Sequence, residues 1–412
     1  MREVKVVSVC VLLALLLSIT PGLSAAGGLP QATASTEISG TPYVFPITPR
    51  DEEWKSFRTH DEMLAAVQIP LDVLASETTE VLLETVLDYP LAVDLFAYDN
   101  PQMAFDFVVN QFNGLSELLK RQDVGRVLLT KYESMSIAVA QDLAIDRTAR
   151  HLFDLHIVEI LLAQVPVLDK LQPQLLDEVV DASITKLFEK EKALGTYGYA
   201  GREGSLWIAG RVLMQKGSTQ LAEALRQNPA LASYLDTGRA DGGVQVFNAV
   251  LSAAGYSRLL GQDEPSVDDY STYVYTPNGS PVSVIYTTSE LSQDDIDAID
   301  YYFDTTYPLA DHLRSASRRY NCHSYAWYSQ DAGNTIWMND PQTYWNDGSY
   351  QPTIVQTLGV RLVYAPDRQH SALVDSLNGY YVKSKWGQAG LYRHPYWYGP
   401  YGSSVDGYER ND

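Results

Sequence analysis

Cysteine is almost absent from this chain: 412 residues contain two, Cys10 and Cys322. Cys10 lies within the apolar run Val6 to Ile19, which follows Arg2 and Lys5 and precedes Ser24-Ala25-Ala26. A positive start, a short apolar run and a small-residue cleavage site together read as a secretory signal over residues 1–26. Thr20-Pro21-Gly22 ends the run before the roughly 20 apolar residues a membrane span needs. The expectation is export, to an extracellular or cell-wall-associated location, with no membrane span after the signal is removed. Cys10 leaves with the signal, so the remaining chain carries a single thiol. One thiol excludes an intramolecular disulfide and a cysteine-rich zinc site. No metal or cofactor is expected.

Basic charge is also scarce, with 30 Lys and Arg against 51 Asp and Glu and a formal charge of −21. No cluster of Lys or Arg forms the stripe that phosphate binding requires, so nucleic acid is excluded as a partner. The same acidity opposes adhesion to an anionic membrane. A fixed repeat period is missing, which argues against a regular solenoid. The glycine-rich stretch Gly195 to Gly204 lacks the strand and the Lys-Ser/Thr ending of a phosphate loop, and reads as a plain loop. His151 and His156 stand five residues apart, which turns them to different faces of a helix, so with Asp154 and Glu159 they take ordinary roles rather than a metal.

What is present is a globular composition, 45% hydrophobic and 20% charged, long enough for two cores. Residues 27–50 are a flexible lead rich in Gly, Thr and Ser. Residues 51–261 carry leucine, valine and alanine at helical spacing, punctuated by Pro90, Asn100-Pro101, Pro166, Pro173 and Pro229, and predict an all-α domain. The polar, acidic stretch 262–271 is a linker. In 272–412 strand and helix mix. Asn278-Gly279 between two β-prone runs predicts a hairpin, and Ser292 with Asp295 opens a helix. The sequence names no partner for the helical domain.

Trp327, Trp337, Trp345, Trp386 and Trp397 fall in this last third with many tyrosines. They serve either a small α+β core or a platform for a sugar or peptide, the core role being the commoner for large aromatics.

Asn321 is a good N-cap, so Cys322 is expected in the first turn of a helix through Trp327. There the helix dipole lowers a thiol pKa, and backbone N–H groups receive an oxyanion. An imidazole must serve such a thiolate. His323 is adjacent, but successive helical residues diverge by about 100°. His370 opens the predicted strand His370 to Ser376, followed after Leu377-Asn378-Gly379 by a second from Tyr380 to Trp386, and is the better placed. Tyr396 to Tyr401 reads as a rigid aromatic loop near the cleft.

The run Tyr320-Asn321-Cys322-His323-Ser324-Tyr325-Ala326 and the strand His370-Ser371-Ala372-Leu373-Val374 together resemble the NlpC-type papain-like cysteine peptidases and amidases and their CHAP relatives. The resemblance covers the last 110 to 140 residues. It departs at Gly359-Val360, where the family commonly has Gly-Asp. It implies an all-α N-terminal domain followed by an α+β papain-like (NlpC-like) C-terminal domain, with Cys322 as nucleophile and His370 as general acid/base. The third polar residue falls to Gln388 or Ser384, since Lys385 cannot accept a hydrogen bond. Gln388 is preferred, and either choice needs a turn longer than two residues between the strands. His323, Trp327 and Trp386 would face substrate.

The expected function is a secreted cysteine hydrolase that cleaves an amide through a thioester. Its substrate would be an extracellular peptide or a peptidoglycan stem peptide. The alternatives are a non-catalytic binding or structural protein with a degenerate papain-like module, and a thiol acyltransferase.

Overall fold

The computed structural model describes residues 40–137, 144–198, 200–257 and 269–411. The secretory signal, Cys10, most of the lead and most of the 262–271 linker lie outside the described residues. Ile38–Asp412 form one compact unit.

Its first part is helical because its apolar residues recur at helical spacing and its polar residues cap the ends. Asn100 accepts the N–H of Met103 at 2.9 Å, and Pro101, which has no N–H to satisfy, takes the first position of the helix Pro101–Gln111. Pro173 and Pro229 likewise take the first positions of Pro173–Lys190 and Pro229–Thr237, the second behind an Asn228 cap.

The Gly195 to Gly204 stretch corrects the sequence reading. Instead of a loop it forms the short helix Leu194–Tyr197, a turn at Ala200–Arg202 and the start of the helix Glu203–Gln215. A glycine is needed at Gly204 because a Cβ there would lie 2.4 Å from the Glu159 carboxylate. Trp207 is buried in this helix and donates its indole N–H to the Leu235 carbonyl at 2.9 Å.

Glu159 itself is buried and pairs with Lys190 at 2.8 and 2.9 Å, while Tyr132 and Ser205 also donate to it. His151 approaches the Tyr197 hydroxyl at 3.5 Å, Asp154 pairs with Arg150 at 2.7 Å, and His156 lies 3.7 Å from Asp295. The four residues that superficially suggested a metal thus have separate partners.

The second part is rich in sheet. Strands β1 (Tyr270–Tyr275) and β2 (Pro281–Tyr286) form the hairpin expected at Asn278-Gly279, with Gly279 at φ +85°. Ser292 accepts the Asp295 N–H at 3.0 Å and caps the helix Gln293–Thr306. The remaining strands are β3 (Asp311–Arg314), β4 (Ile336–Trp337), β5 (Tyr350–Thr353), β6 (Arg361–Tyr364), β7 (Ser371–Val374), β8 (Tyr381–Lys385), β9 (Leu391–Pro395) and β10 (Val405–Arg410). β4 joins the hairpin in the order β1-β2-β4, and the other seven form an antiparallel sheet in the order β3-β9-β8-β7-β6-β10-β5.

Strand alternation gives that sheet two different faces. Leu362, Tyr364, Ala372, Val374, Val382, Trp386 and Tyr392 enter one core with the leucines and valines of the helical part. Val363 packs with Ala326 and Trp327, and Leu391 with Tyr320 and Tyr325, on the opposite face. Helical and sheet parts therefore share a core. They are also tied by hydrogen bonds from Trp54 to the Thr306 carbonyl at 2.8 Å and from Tyr98 to the Pro400 carbonyl at 3.1 Å. Among the described residues no helix is long and apolar enough to cross a membrane.

Candidate active site

Cys322 begins a short helical segment as the sequence predicts. The Asn321 side chain accepts the Ser324 N–H at 3.1 Å, and Tyr325 donates to the Asn321 carbonyl at 3.0 Å. The segment then widens into a π-turn over Ser324–Tyr328. A turn of this kind often marks a functional position within a helix.

The Asn321 side chain is wholly buried and does more than cap. Its amide donates to Asp99 at 2.9 Å and to the Met338 carbonyl at 2.8 Å, and its oxygen also accepts the Met338 N–H at 3.2 Å. Asp99 comes from the helical part, just before Pro101–Gln111. One asparagine thus fixes the start of the cysteine helix, the end of β4 and an acid from a distant segment.

The sulfur of Cys322 lies against the start of β7. The Gln369 carbonyl is 3.9 Å away, and the N–H groups of Ser371 and His323 are directed at the sulfur. Cys322 is nevertheless buried, and its environment reverses the expected effect of the helix start. Burial, reinforced by the Asp99 charge, pushes the thiol pKa well above its ordinary value, against the smaller opposing effect of the two N–H groups. Desolvation of a thiolate outweighs a partial dipole at the end of so short a helix.

His323 corrects a second expectation. Adjacent helical residues were read as diverging, yet one donor atom each from Asp99, Cys322 and His323 lies within 4.8 Å of the others. The imidazole Nδ1 is 2.8 Å from Ser371 Oγ, which also receives the Trp327 indole N–H at 3.0 Å. Burial holds the His323 pKa down to about 3 and lifts that of Asp99 to about 7.

His370 immediately precedes β7, where sequence reading placed it. Its ring continues the face of Ala372 and Val374, whereas Ser371 faces the cysteine helix. It stacks on Tyr401 with ring centroids 3.5 Å apart and planes 10° from parallel, and Tyr364 meets it edge-on at 4.8 Å. Among the described residues neither of its ring nitrogens has a hydrogen-bond partner. Burial, followed by the nearby His394 and His323, holds its pKa well below the ordinary imidazole value. The tyrosine-rich loop expected near the cleft is the one covering it. Tyr401 donates to the Ala97 carbonyl, and Tyr98 meets Tyr401 edge-on at 5.5 Å.

The strand turn is longer than two residues, as an orienter on this face required: Leu373 pairs with Lys383 and Val374 with Val382. That register puts Ser384 on the face of His370, but its hydroxyl is 2.8 Å from His394 Nε2 and accepts the Trp386 indole N–H at 2.9 Å. Gln388 lies beyond β8. Its backbone is tied to Phe96 and Ser317, and it lines an internal cavity of about 60 Å³ with Phe96, His156 and Asp295. The structure brings neither candidate to His370.

Trp327 and Trp386 are buried in opposite cores and do not face a cleft. His323 is equally buried, so none of the three residues expected at a substrate surface is open to one. Lys385 is buried too, its ammonium donating to the carbonyls of Ser317, Gly387 and Ala389, and desolvation lowers its pKa to about 7. A groove of about 900 Å³ lies elsewhere, bordered by Tyr43, Phe45, Arg147, Arg150 and Tyr302.

Asp99 was missed because nothing near it in sequence hints at chemistry. Tertiary contact alone brings it to the thiol. Comparison with protein-family models, with curated proteins and with solved structures finds no match for this chain.

Proposed function

We propose that the protein is an exported cysteine hydrolase of papain-like type, here in a closed form. Cys322 attacks an amide carbonyl to give a thioester, which water then hydrolyses, and His370 carries the proton to the leaving amine. The observation that carries this reading is the seating of the Cys322 sulfur against the backbone on both sides of His370, at Gln369 and Ser371. Catalysis on this reading requires the strand start to rotate the imidazole, whose two nitrogens have no hydrogen-bond partner among the described residues, off Tyr401 and toward the sulfur. Catalytic hydrogen bonds often tighten only when substrate is bound. The substrate class, a peptide or peptidoglycan stem peptide outside the cell, follows from the sequence resemblance.

The complete burial of Cys322, Trp327 and Trp386 favours a second reading, a secreted binding or structural protein built on an inactive module of this type. One experiment separates the two. The folded chain is incubated with stem-peptide amides in the presence of a chelator, alongside Cys322→Ala and His370→Ala. The hydrolase reading expects turnover that Cys322→Ala abolishes and His370→Ala lowers at least a hundredfold, in line with the contribution of a general acid/base. A Cys322 that reacts with iodoacetamide only after unfolding, together with no turnover, sinks it in favour of the second.

A further inference from the structure

Asp99, Cys322 and His323 form an acid, a thiol and an imidazole with one donor atom each inside a 4.8 Å sphere of mutual distances, and all three are buried. Tetrahedral zinc, with bonds of about 2.0 to 2.3 Å, sets its ligands roughly 3.3 to 3.8 Å apart. A contraction of about 1 Å therefore suffices.

The second layer is already built. Metal-binding imidazoles are oriented through the ring nitrogen that does not touch the metal. Here Nδ1 of His323 is held by Ser371 Oγ at 2.8 Å, which leaves Nε2 to be offered. The Asn321 amide holds Asp99 Oδ2 at 2.9 Å and leaves the other oxygen.

The balance of charge is an independent observation. A buried carboxylate normally pairs with a cation. Asp99 has no ion pair among the described residues, and it accepts its hydrogen bond from the neutral Asn321 amide. The nearby Lys385 ammonium spends its three protons on backbone carbonyls. Arg239, which pairs with Asp241, and Lys385 act on Asp99 only from a distance, so the acidic donors of the pocket have no ion-pair partner among the described residues.

We propose that Asp99, Cys322 and His323 bind one thiophilic divalent cation, of the zinc class, at the junction of the helical and sheet parts. Binding replaces the thiol proton with the metal. The proton goes to solvent, the sulfur electron pair forms the metal bond, and no oxidation state changes. Three protein ligands leave a fourth position for water. While the cation is bound the thiolate is not available as a nucleophile, so the site would hold the protein inactive if Cys322 is catalytic. The inference rests on the cluster and stands without the hydrolase reading.

Cobalt(II) is the probe, because its bond to a thiolate gives a charge-transfer absorption that carboxylate and imidazole sites lack. The full chain is equilibrated with Co²⁺, and a second sample is refolded from urea in its presence so that burial does not block entry. The expected result is a thiolate-to-cobalt band saturating at one equivalent and displaced by Zn²⁺. Cys322→Ser should abolish it, and Asp99→Asn and His323→Gln should each weaken binding at least tenfold. Absence of the band from both wild-type samples overturns the proposal, as does a band that both Asp99→Asn and His323→Gln leave unchanged. Should a variant not fold, the wild-type chain decides through a second readout. Zn²⁺ must slow alkylation of Cys322 at least tenfold, with the ordinary rate restored by chelator, and no slowing overturns the site. All readouts are taken without substrate, so a failure of hydrolysis leaves them untouched.

Discussion

His370 lies flat against Tyr401, ring centroids 3.5 Å apart and planes 10° from parallel. The stack buries an imidazole whose two nitrogens have no hydrogen-bond partner among the described residues. A buried polar group left in this state is costly, so the arrangement is one in which the aromatic loop and the helical part hold the ring in place. Tyr401 is fastened in turn, through its hydroxyl to the Ala97 carbonyl. Loosening this latch should therefore expose the start of β7.

Tyr401→Ala is expected to raise the rate of Cys322 alkylation by iodoacetamide at least tenfold under native conditions. A thermal melt on the same sample must show the chain still folded. An unchanged rate in a folded variant would show that the loop does not control access to the thiol.

Asn321→Ala removes a helix cap and leaves the Asp99 carboxylate and the Met338 backbone groups without their partner. Each buried polar group left unsatisfied costs about 1 to 3 kcal/mol, and a lost cap about 1. The expected loss is about 3 to 5 kcal/mol, read as a lower urea midpoint. A loss below about 1 kcal/mol would mean that the asparagine does not organise the junction.

Lys190→Met strands Glu159 in the helical core, where pair and surroundings are almost wholly buried. Removing one partner of a buried ion pair costs about 3 to 5 kcal/mol, whereas replacing both is often close to neutral. Urea denaturation should show Lys190→Met severely destabilised and the double variant Glu159→Gln, Lys190→Met partly restored. Equal stabilities for single and double variants would contradict this coupling.

Stability should also respond to pH through Asp154. Burial lifts its pKa to about 6, outweighing the Arg150 charge beside it. The folded state therefore holds a proton that the unfolded chain releases near pH 4. Stability falls as pH rises from about 4 to about 6 and stays lower above that window. Asp154→Asn should remove this component, so the difference in unfolding free energy between wild type and variant ought to change across pH 4 to 6 and be flat above 7. A flat difference throughout would place the ordinary carboxylate pKa at this site.

Much of the local structure was legible because it depends on neighbours in the chain. Asn100-Pro101, Ser292 and Asn321 start helices through hydrogen bonds that reach only three residues ahead. Asn278-Gly279 makes its hairpin because glycine accepts a φ of +85°. Gly195 to Gly204 misled for the complementary reason: Gly204 answers a close approach to Glu159, and so distant a packing partner leaves no local mark.

By itself the sequence determined a helical first part, a sheet-rich second part, a cysteine placed at a capped helix start, and, well after it in the chain, a strand led by a histidine. Tertiary structure decided what surrounds the thiol. Strand alternation set His370 on the face away from the cysteine helix, and a seven-stranded register gave Ser384 to His394. Asp99, more than two hundred residues earlier, came to the sulfur through Asn321. The reason is physical: caps and turns are short-range, but desolvation and donor geometry at Cys322 depend on which distant segments share its core.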